Sequence, residues 1–188
     1  MRASALVLLA VVGLTAAACA TPMAAPGPSI DNLQRLRRTE VPPMALGEFR
    51  LAPGLPADMD RRVNVRGSTV TSPTGGSYAL FLKETLAAEL RAAGRLDAAS
   101  GIVITGELTE SEADAGLDVG IARLGATFVV TRDGREVYRK ALRAEERWVS
   151  SFYGAVAIPM ALNQYTGLYG KLVTRLLEDP DFGAAIQR

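Results

Sequence analysis

The stretch GIARLGATFVVTRDGREVYRKALRAEERWV, residues 120–149, decides how this chain folds. Two runs rich in alternating apolar and polar residues meet at Arg132-Asp133-Gly134, which is the turn chemistry of a β-hairpin. The register follows from sorting the side chains. A two-residue Asp-Gly loop pairs Arg132 with Arg135 and sets Phe128 opposite Arg139, mixing apolar and charged residues on both faces. A three-residue loop with Gly134 in the left-handed conformation pairs Phe128 with Tyr138 and Leu124 with Leu142, and one face becomes apolar. The second register is the expectation. It places Leu124, Ala126, Phe128, Val130, Tyr138, Leu142 and Trp148 on the side that helices must cover, with Lys140 and Glu136 as blemishes.

The opposite face then carries Arg135, Arg139, Arg143 and Arg147 at every fourth position, with Arg123 across from Arg143. Like charges placed directly opposite are destabilising. Solvation is the ordinary fate of such a face. The sharper reading makes Arg123, Arg139, Arg143 and Arg147 a docking surface for anionic lipid or an acidic protein, since guanidinium grips phosphate or carboxylate with paired hydrogen bonds.

Outward from the hairpin, Ile102, Ile104 and Leu108 alternate with Val103, Thr105 and Glu107, which predicts a strand from Ser100 that frays over Thr109 to Asp118. Glu110, Glu112 and Asp114 fall on one face of that fray. Three carboxylates can begin a calcium site, but the calcium-loop pattern is missing and a solvated hairpin tip is the preferred reading. Before it, a helix runs from the N-cap Ser77 to Ala93 with Ala79, Leu82, Leu86 and Leu90 on its buried stripe, Lys83, Glu84, Glu89 and Arg91 away from it, and Gly94 as its stop. The loop Ser72–Ser77, SPTGGS, has neither the Lys-Ser/Thr ending of a phosphate loop nor a third glycine, and reads as a turn. Met44–Ala52 predicts a first strand, and Arg62–Thr71 a second with Gly67 as a bulge. Leu33–Arg38 predicts a helical turn.

After Trp148 the chain becomes a long helix with a broad stripe of Ala161, Tyr165, Leu168, Leu172 and Leu176, closed by Asp179-Pro180. Pro159 fits only near its first turn. Phe152–Leu162 is uncharged but too short to span a bilayer, and reads as a buried helix start in preference to a membrane wedge. The sum is an α+β fold: one mostly antiparallel sheet with two main helices packed on one face.

Composition narrows the function. Histidine is absent and there is one cysteine, Cys19, so imidazole-based triads and zinc sites cannot be assembled. Neither a metal nor a cofactor is expected. There are 21 basic residues against 20 acidic, and no global field steers the chain to nucleic acid.

The N-terminus, MRASALVLLAVVGLTAAAC, is one arginine followed by an apolar run, the pattern of a secretion signal. Ala16-Ala17-Ala18-Cys19 resembles the lipobox of bacterial lipoproteins in spacing, with alanine where leucine is usual. That resemblance implies cleavage before Cys19, acylation of that cysteine (palmitate among the chains), and a membrane anchor. Ala20 follows the cysteine, and in such lipoproteins this favours the outer membrane, inner leaflet, facing the periplasm. The expected division is residues 1–18 as signal peptide, 19–29 as lipidated cysteine and flexible tether, and 30–188 as a single α+β domain.

The layout from Met44 to Ala93 and from Ile121 to Phe182, with the lipobox cysteine, is similar to small envelope lipoproteins of the YajG type and to auxiliary lipoproteins of lipid-trafficking ABC transporters of the PqiC type. Those families imply a non-enzymatic accessory or binding role in outer-membrane maintenance or lipid transport, with an envelope protein complex or anionic lipid as partner. The rival reading is a carboxylate-dependent envelope hydrolase using Glu107, Glu145 or Glu146, for which no nucleophile elbow is present.

Overall fold

A computed structural model describes Met23 and residues 27–38 and 41–187. The signal stretch and Cys19 lie outside the described residues. The order of elements is α1 (Ile30–Arg38), β1 (Ala45–Leu51), α2 (Asp58–Arg61), β2 (Arg62–Val65), β3 (Ser68–Thr71), α3 (Tyr78–Ala92), β4 (Ile102–Asp114), β5 (Val119–Arg132), β6 (Arg135–Val149), α4 (Gly154–Glu178) and α5 (Pro180–Gln187). One four-stranded sheet runs β1-β4-β5-β6, with β1 parallel to β4 and the other pairs antiparallel. This is the α+β fold with a mostly antiparallel sheet. The sheet's inner face is covered by α3 and α4, where Leu82, Leu86, Leu90, Leu168, Leu172 and Leu176 are fully buried.

The hairpin register differs from the expectation. Asp133 and Gly134 both have positive φ, 49° and 80°, so the loop is the two-residue kind, and Arg132 pairs with Arg135. The face mixing that argued against this loop is repaired one step later. Thr131 pairs with Glu136 but Val130 pairs with Tyr138, so Val137 is an extra residue that returns even-numbered side chains to one face. The expected apolar set therefore does share a face, while each predicted pair moves: Phe128 lies opposite Lys140, Leu142 opposite Ala126, and Leu124 opposite Ala144.

A second bulge at Thr109 turns β4 in the same way. Leu108 pairs with Ala126 but Glu110 with Gly125, so the expected fray is ladder up to Asp114. Arg62–Thr71 is two strands rather than one bulged strand, because Arg66 (φ 48°) and Gly67 (φ 80°) form a tight turn between them.

The helix signals of α3 hold. Ser77 Oγ accepts from the Leu80 N–H at 3.1 Å, and Gly94 is left-handed at φ 69°. Glu89, expected in solvent, is 1 % exposed, because α1 packs over that side of α3. Its Oε1 accepts from Asn32 Nδ2 and the Ser29 N–H, both at 2.9 Å. Helix α4 begins five residues before Pro159. Pro159 and Ala155 both lie on its exposed side, where water can take the carbonyl that the proline ring leaves unbonded. Asp179 starts α5, its Oδ1 accepting from the Asp181 and Phe182 N–H groups. Met23, in the stretch expected to be a free tether, is buried in the core.

Candidate functional site

The face of the sheet away from the helices is where alternation puts the charges. The two bulges bring the arginines of β5 and β6 and the glutamates of β4 to the same side. Arg123 does not face Arg143. The two-residue turn and the bulge at Val137 together move β6 along by two relative to the expected register, so Arg123 is opposite Glu145 and Arg143 opposite Gly125. Arg123 donates to Glu112 at 3.0 Å and to Glu145 at 3.2 Å. Arg143 pairs with Glu110 at 2.7 Å, Arg139 with Glu136 at 2.7 Å and Arg147 with Glu145 at 2.8 Å. Arg50 of β1 joins through Glu107 at 2.8 Å. Hydrogen bonds to Arg147 and Arg123 hold the Glu145 carboxyl below its ordinary range, and the Arg139 bond does the same for Glu136. Arg123 and Arg139 are correspondingly stabilised in their charged forms. The face is a mosaic of alternating sign, and Arg135 sits beside the turn rather than on the stripe.

The other sequence candidates are engaged in local bonds. Glu110 and Glu112 serve Arg143 and Arg123, and no group of three or more acidic residues that could hold a metal occurs among the described residues. Around the SPTGGS loop, the Ala79 N–H donates to Asp60 Oδ1 at 2.7 Å, the Leu80 N–H goes to Ser77, and Ser72 Oγ binds the Ser77 carbonyl at 2.7 Å. The Ala79 and Leu80 amides that an anion would need are thus taken. Of the hydrolase candidates, Glu107 binds Arg50, Glu145 binds Arg123 and Arg147, and Glu146 binds Lys171.

Sequence reasoning missed features at both ends of the hairpin. At the turn end, an open cleft of about 860 Å³ is lined by Pro42, Pro43, Asp97, Ser100, Arg132 and Asp133, among others. Arg132 Nη2 donates to the carbonyls of Ala185 and Ile186, closing the last turn of α5. At the other end, Arg66 Nε and Nη2 donate to the carbonyls of Ala115 and Gly116, both at 2.7 Å, and Nη1 to that of Phe152 at 2.9 Å. No sequence motif marks either arginine, since both act on backbone carbonyls far along the chain. Between the helices and the sheet, the Tyr165 hydroxyl lies 2.7 Å from both Ser111 Oγ and the Tyr169 hydroxyl, and Tyr78 donates to the Val70 carbonyl. Burial pushes the Tyr78 hydroxyl up to about 12 and raises Tyr165 and Tyr169 further.

No helix among the described residues is long and apolar enough to cross a membrane. No protein-family model and no curated relative matches the chain. Among solved structures, it resembles protein XCC0632 of Xanthomonas campestris, from the DUF330 family, at 18 % identity and TM-score 0.53, over 83 % of this chain and 92 % of that one. A minor lipoprotein from Acinetobacter baumannii aligns at 15 % identity and TM-score 0.46, over 75 % of this chain and 91 % of that one. The hypothetical protein CT253 of Chlamydia trachomatis aligns at 11 % and 0.43, over 73 % and 96 %. The chain shares the fold of the Xanthomonas DUF330 protein.

Proposed function

We propose that this protein is a lipid-anchored lipoprotein of the bacterial envelope, held by acyl chains on Cys19 and facing the periplasm, that serves as a non-enzymatic accessory or binding subunit. The observation that carries this reading is the order of features: an apolar signal-like run closed by Ala16-Ala17-Ala18-Cys19, a short proline-bearing stretch, then one α+β domain. Several acyl chains, at about 0.8 kcal/mol per buried methylene, anchor a domain without a spanning helix. Ala20 after the cysteine favours the inner leaflet of the outer membrane. The layout likeness to PqiC-type auxiliary lipoproteins supports a part in outer-membrane upkeep or lipid transport. A binding role also suits a surface on which Glu107, Glu145 and Glu146 are each bound to a cation instead of facing one another across a cleft.

The test is Cys19→Ala in a Gram-negative host. Unprocessed precursor should accumulate, and the mature form with its acyl mass should vanish from the membrane fraction. A variant that is exported, cut and membrane-bound like the parent would refute the reading. A pulldown from envelope extract with the acylated protein then names the partner.

A further inference from the structure

Six large apolar side chains stand exposed at one end of the molecule: Leu117, Val119, Val149, Phe152, Tyr153 and Val156. Phe152 and Tyr153 are each 73 % exposed and Val149 is 83 % exposed. Their segments are fastened together from behind. Arg66 bonds the carbonyls of Ala115 and Gly116 in the β4–β5 turn and of Phe152 in the lead-in to α4. Val119 and Val149 are a cross-strand pair, the Ser150 N–H donates to the Asp118 carbonyl, and the Phe152 and Tyr153 rings meet edge to face at 5.9 Å. A pre-built apolar tip of this kind differs from the scattered single residues of an ordinary surface and marks a contact site.

The path of the chain says what the tip meets. Helices α3 and α4 run side by side in the same direction: Tyr78, the first residue of α3, packs on Tyr165, while α1 bridges their far ends through Arg37 to the Ala92 carbonyl and Arg35 to Glu178. Tyr165 lies three turns into α4, so the start of α4 projects beyond α3 toward the tip. The N-terminal segment retraces this direction. Ser29 is held at Glu89, Gly27 lines a small cavity together with Phe81, Thr85, Thr166 and Gly170, and Met23 is buried. The step from Ser29 back to Gly27 therefore leads along α3 toward the tip. Cys19 stands four residues before Met23, a reach of at most about 14 Å for an extended chain. The cleft at the hairpin turn lies the length of β6 away, roughly 45 Å at the usual rise of a strand.

We propose that this tip rests in the interfacial layer of the bilayer that holds the acyl chains, with Phe152 and Tyr153 inserted, so that the domain stands on the membrane and turns the cleft at Asp97, Ser100 and Arg132 toward the periplasm. The proposal rests on acylation of Cys19, as argued above. Rings that are apolar with a polar edge suit the headgroup boundary. Exposed Asp114 and Asp118 flank the tip, so the contact is made with hydrocarbon and zwitterionic headgroups and is insensitive to salt.

The experiment uses acylated mature protein in phosphatidylcholine vesicles, with an environment-sensitive fluorophore on a cysteine introduced by Phe152→Cys or, at the cleft end, by Ala98→Cys; the acylated Cys19 takes no label. The expected result is a blue shift and quenching by a quencher-bearing lipid at position 152 and neither at position 98. Equal water exposure of both positions, in protein whose mass and flotation establish the anchor, overturns the proposal and leaves the lipoprotein reading intact. A second arm removes the dependence on acylation. The mature chain with Cys19→Ser should bind the same vesicles, and adding Phe152→Ser with Tyr153→Ser should lower the partition coefficient roughly tenfold, with an unchanged melting temperature. Equal binding overturns the proposal. A concentration-dependent dimer abolished by the same pair of substitutions, seen by light scattering without lipid, overturns it in favour of a second copy.

Discussion

Phe128→Ala is the substitution whose cost the structure defines most sharply. The side chain is fully buried, its ring centroid 6.4 Å from that of Phe49 in an edge-to-face contact. Its neighbours across the sheet are Gly106 on β4 and Lys140 on β6. Gly106 has no side chain to move into a cavity, and the Lys140 ammonium is tied to Asp179 at 2.6 Å and Asp181 at 2.9 Å. Collapse around the vacancy is therefore poor, and the loss should fall in the upper part of the range of about 3–5 kcal/mol for Phe→Ala, including about 0.5–1.5 kcal/mol for the ring pair. Against a total stability of about 5–15 kcal/mol that is a large share. For a domain of this size each kcal/mol moves the melting temperature by about 2–4 °C, so a fall of roughly 8–20 °C is expected. Urea and thermal unfolding of the mature chain, followed by far-ultraviolet circular dichroism, measure both quantities. A loss below about 1 kcal/mol would refute the packing argument.

Gly120→Val should also destabilise the hairpin, because a Cβ at Gly120 would clash with the Trp148 ring; a shift in Trp148 fluorescence together with a lower melting temperature is expected, and neither would occur if the ring were free to swing away. Arg139→Ser with Arg143→Ser should leave the melting temperature within a degree or two, since exposed ion pairs contribute little, and should leave binding to anionic vesicles unchanged because Glu136 and Glu110 already balance these charges. A marked drop in binding that salt mimics in the parent would restore the arginines as a docking surface. Burial holds Tyr78 and Tyr138 up to about 12, so the neutral hydroxyl is favoured in the folded state; the stability it contributes is complete below the unfolded value near 10 and is lost as pH rises toward 12. An absorbance titration near 295 nm should show these tyrosines ionising together with alkaline unfolding, and ionisation near pH 10 in folded protein would contradict their burial.

Local signals were legible wherever a residue acts on its own neighbours. Ser77, Gly94 and Asp179-Pro180 end or start helices through bonds that span at most a few residues, and each does so in the structure. The apolar face of the hairpin was equally legible, because period two sorts residues whatever their exact partners. The register was not. Asp-Gly demanded a two-residue turn by its own backbone preference, while sorting demanded the opposite parity, and a bulge at Val137 satisfies both. A bulge costs no particular residue type, so it leaves little mark in the sequence. Glu89 was misplaced for a similar reason: helical periodicity finds the stripe facing the sheet, but the second covering of α3 comes from α1, nearly 60 residues earlier. The candidate arginines were named correctly as sharing a face, but their partners Glu110 and Glu112 reach that face only because of the bulge at Thr109.

What the sequence determined by itself is what depends on short-range chemistry and on counting: the absence of histidine, the ends of α3 and α4, the apolar face of the hairpin, and the α+β class. Tertiary structure alone decided the charge balance of the open sheet face, the burial of Met23 and Glu89, and the gathering of Leu117, Val149 and Phe152 at one tip behind Arg66. Those depend on which distant segments lie side by side. That choice is made by burying the whole apolar core at once, and no local window of residues contains it.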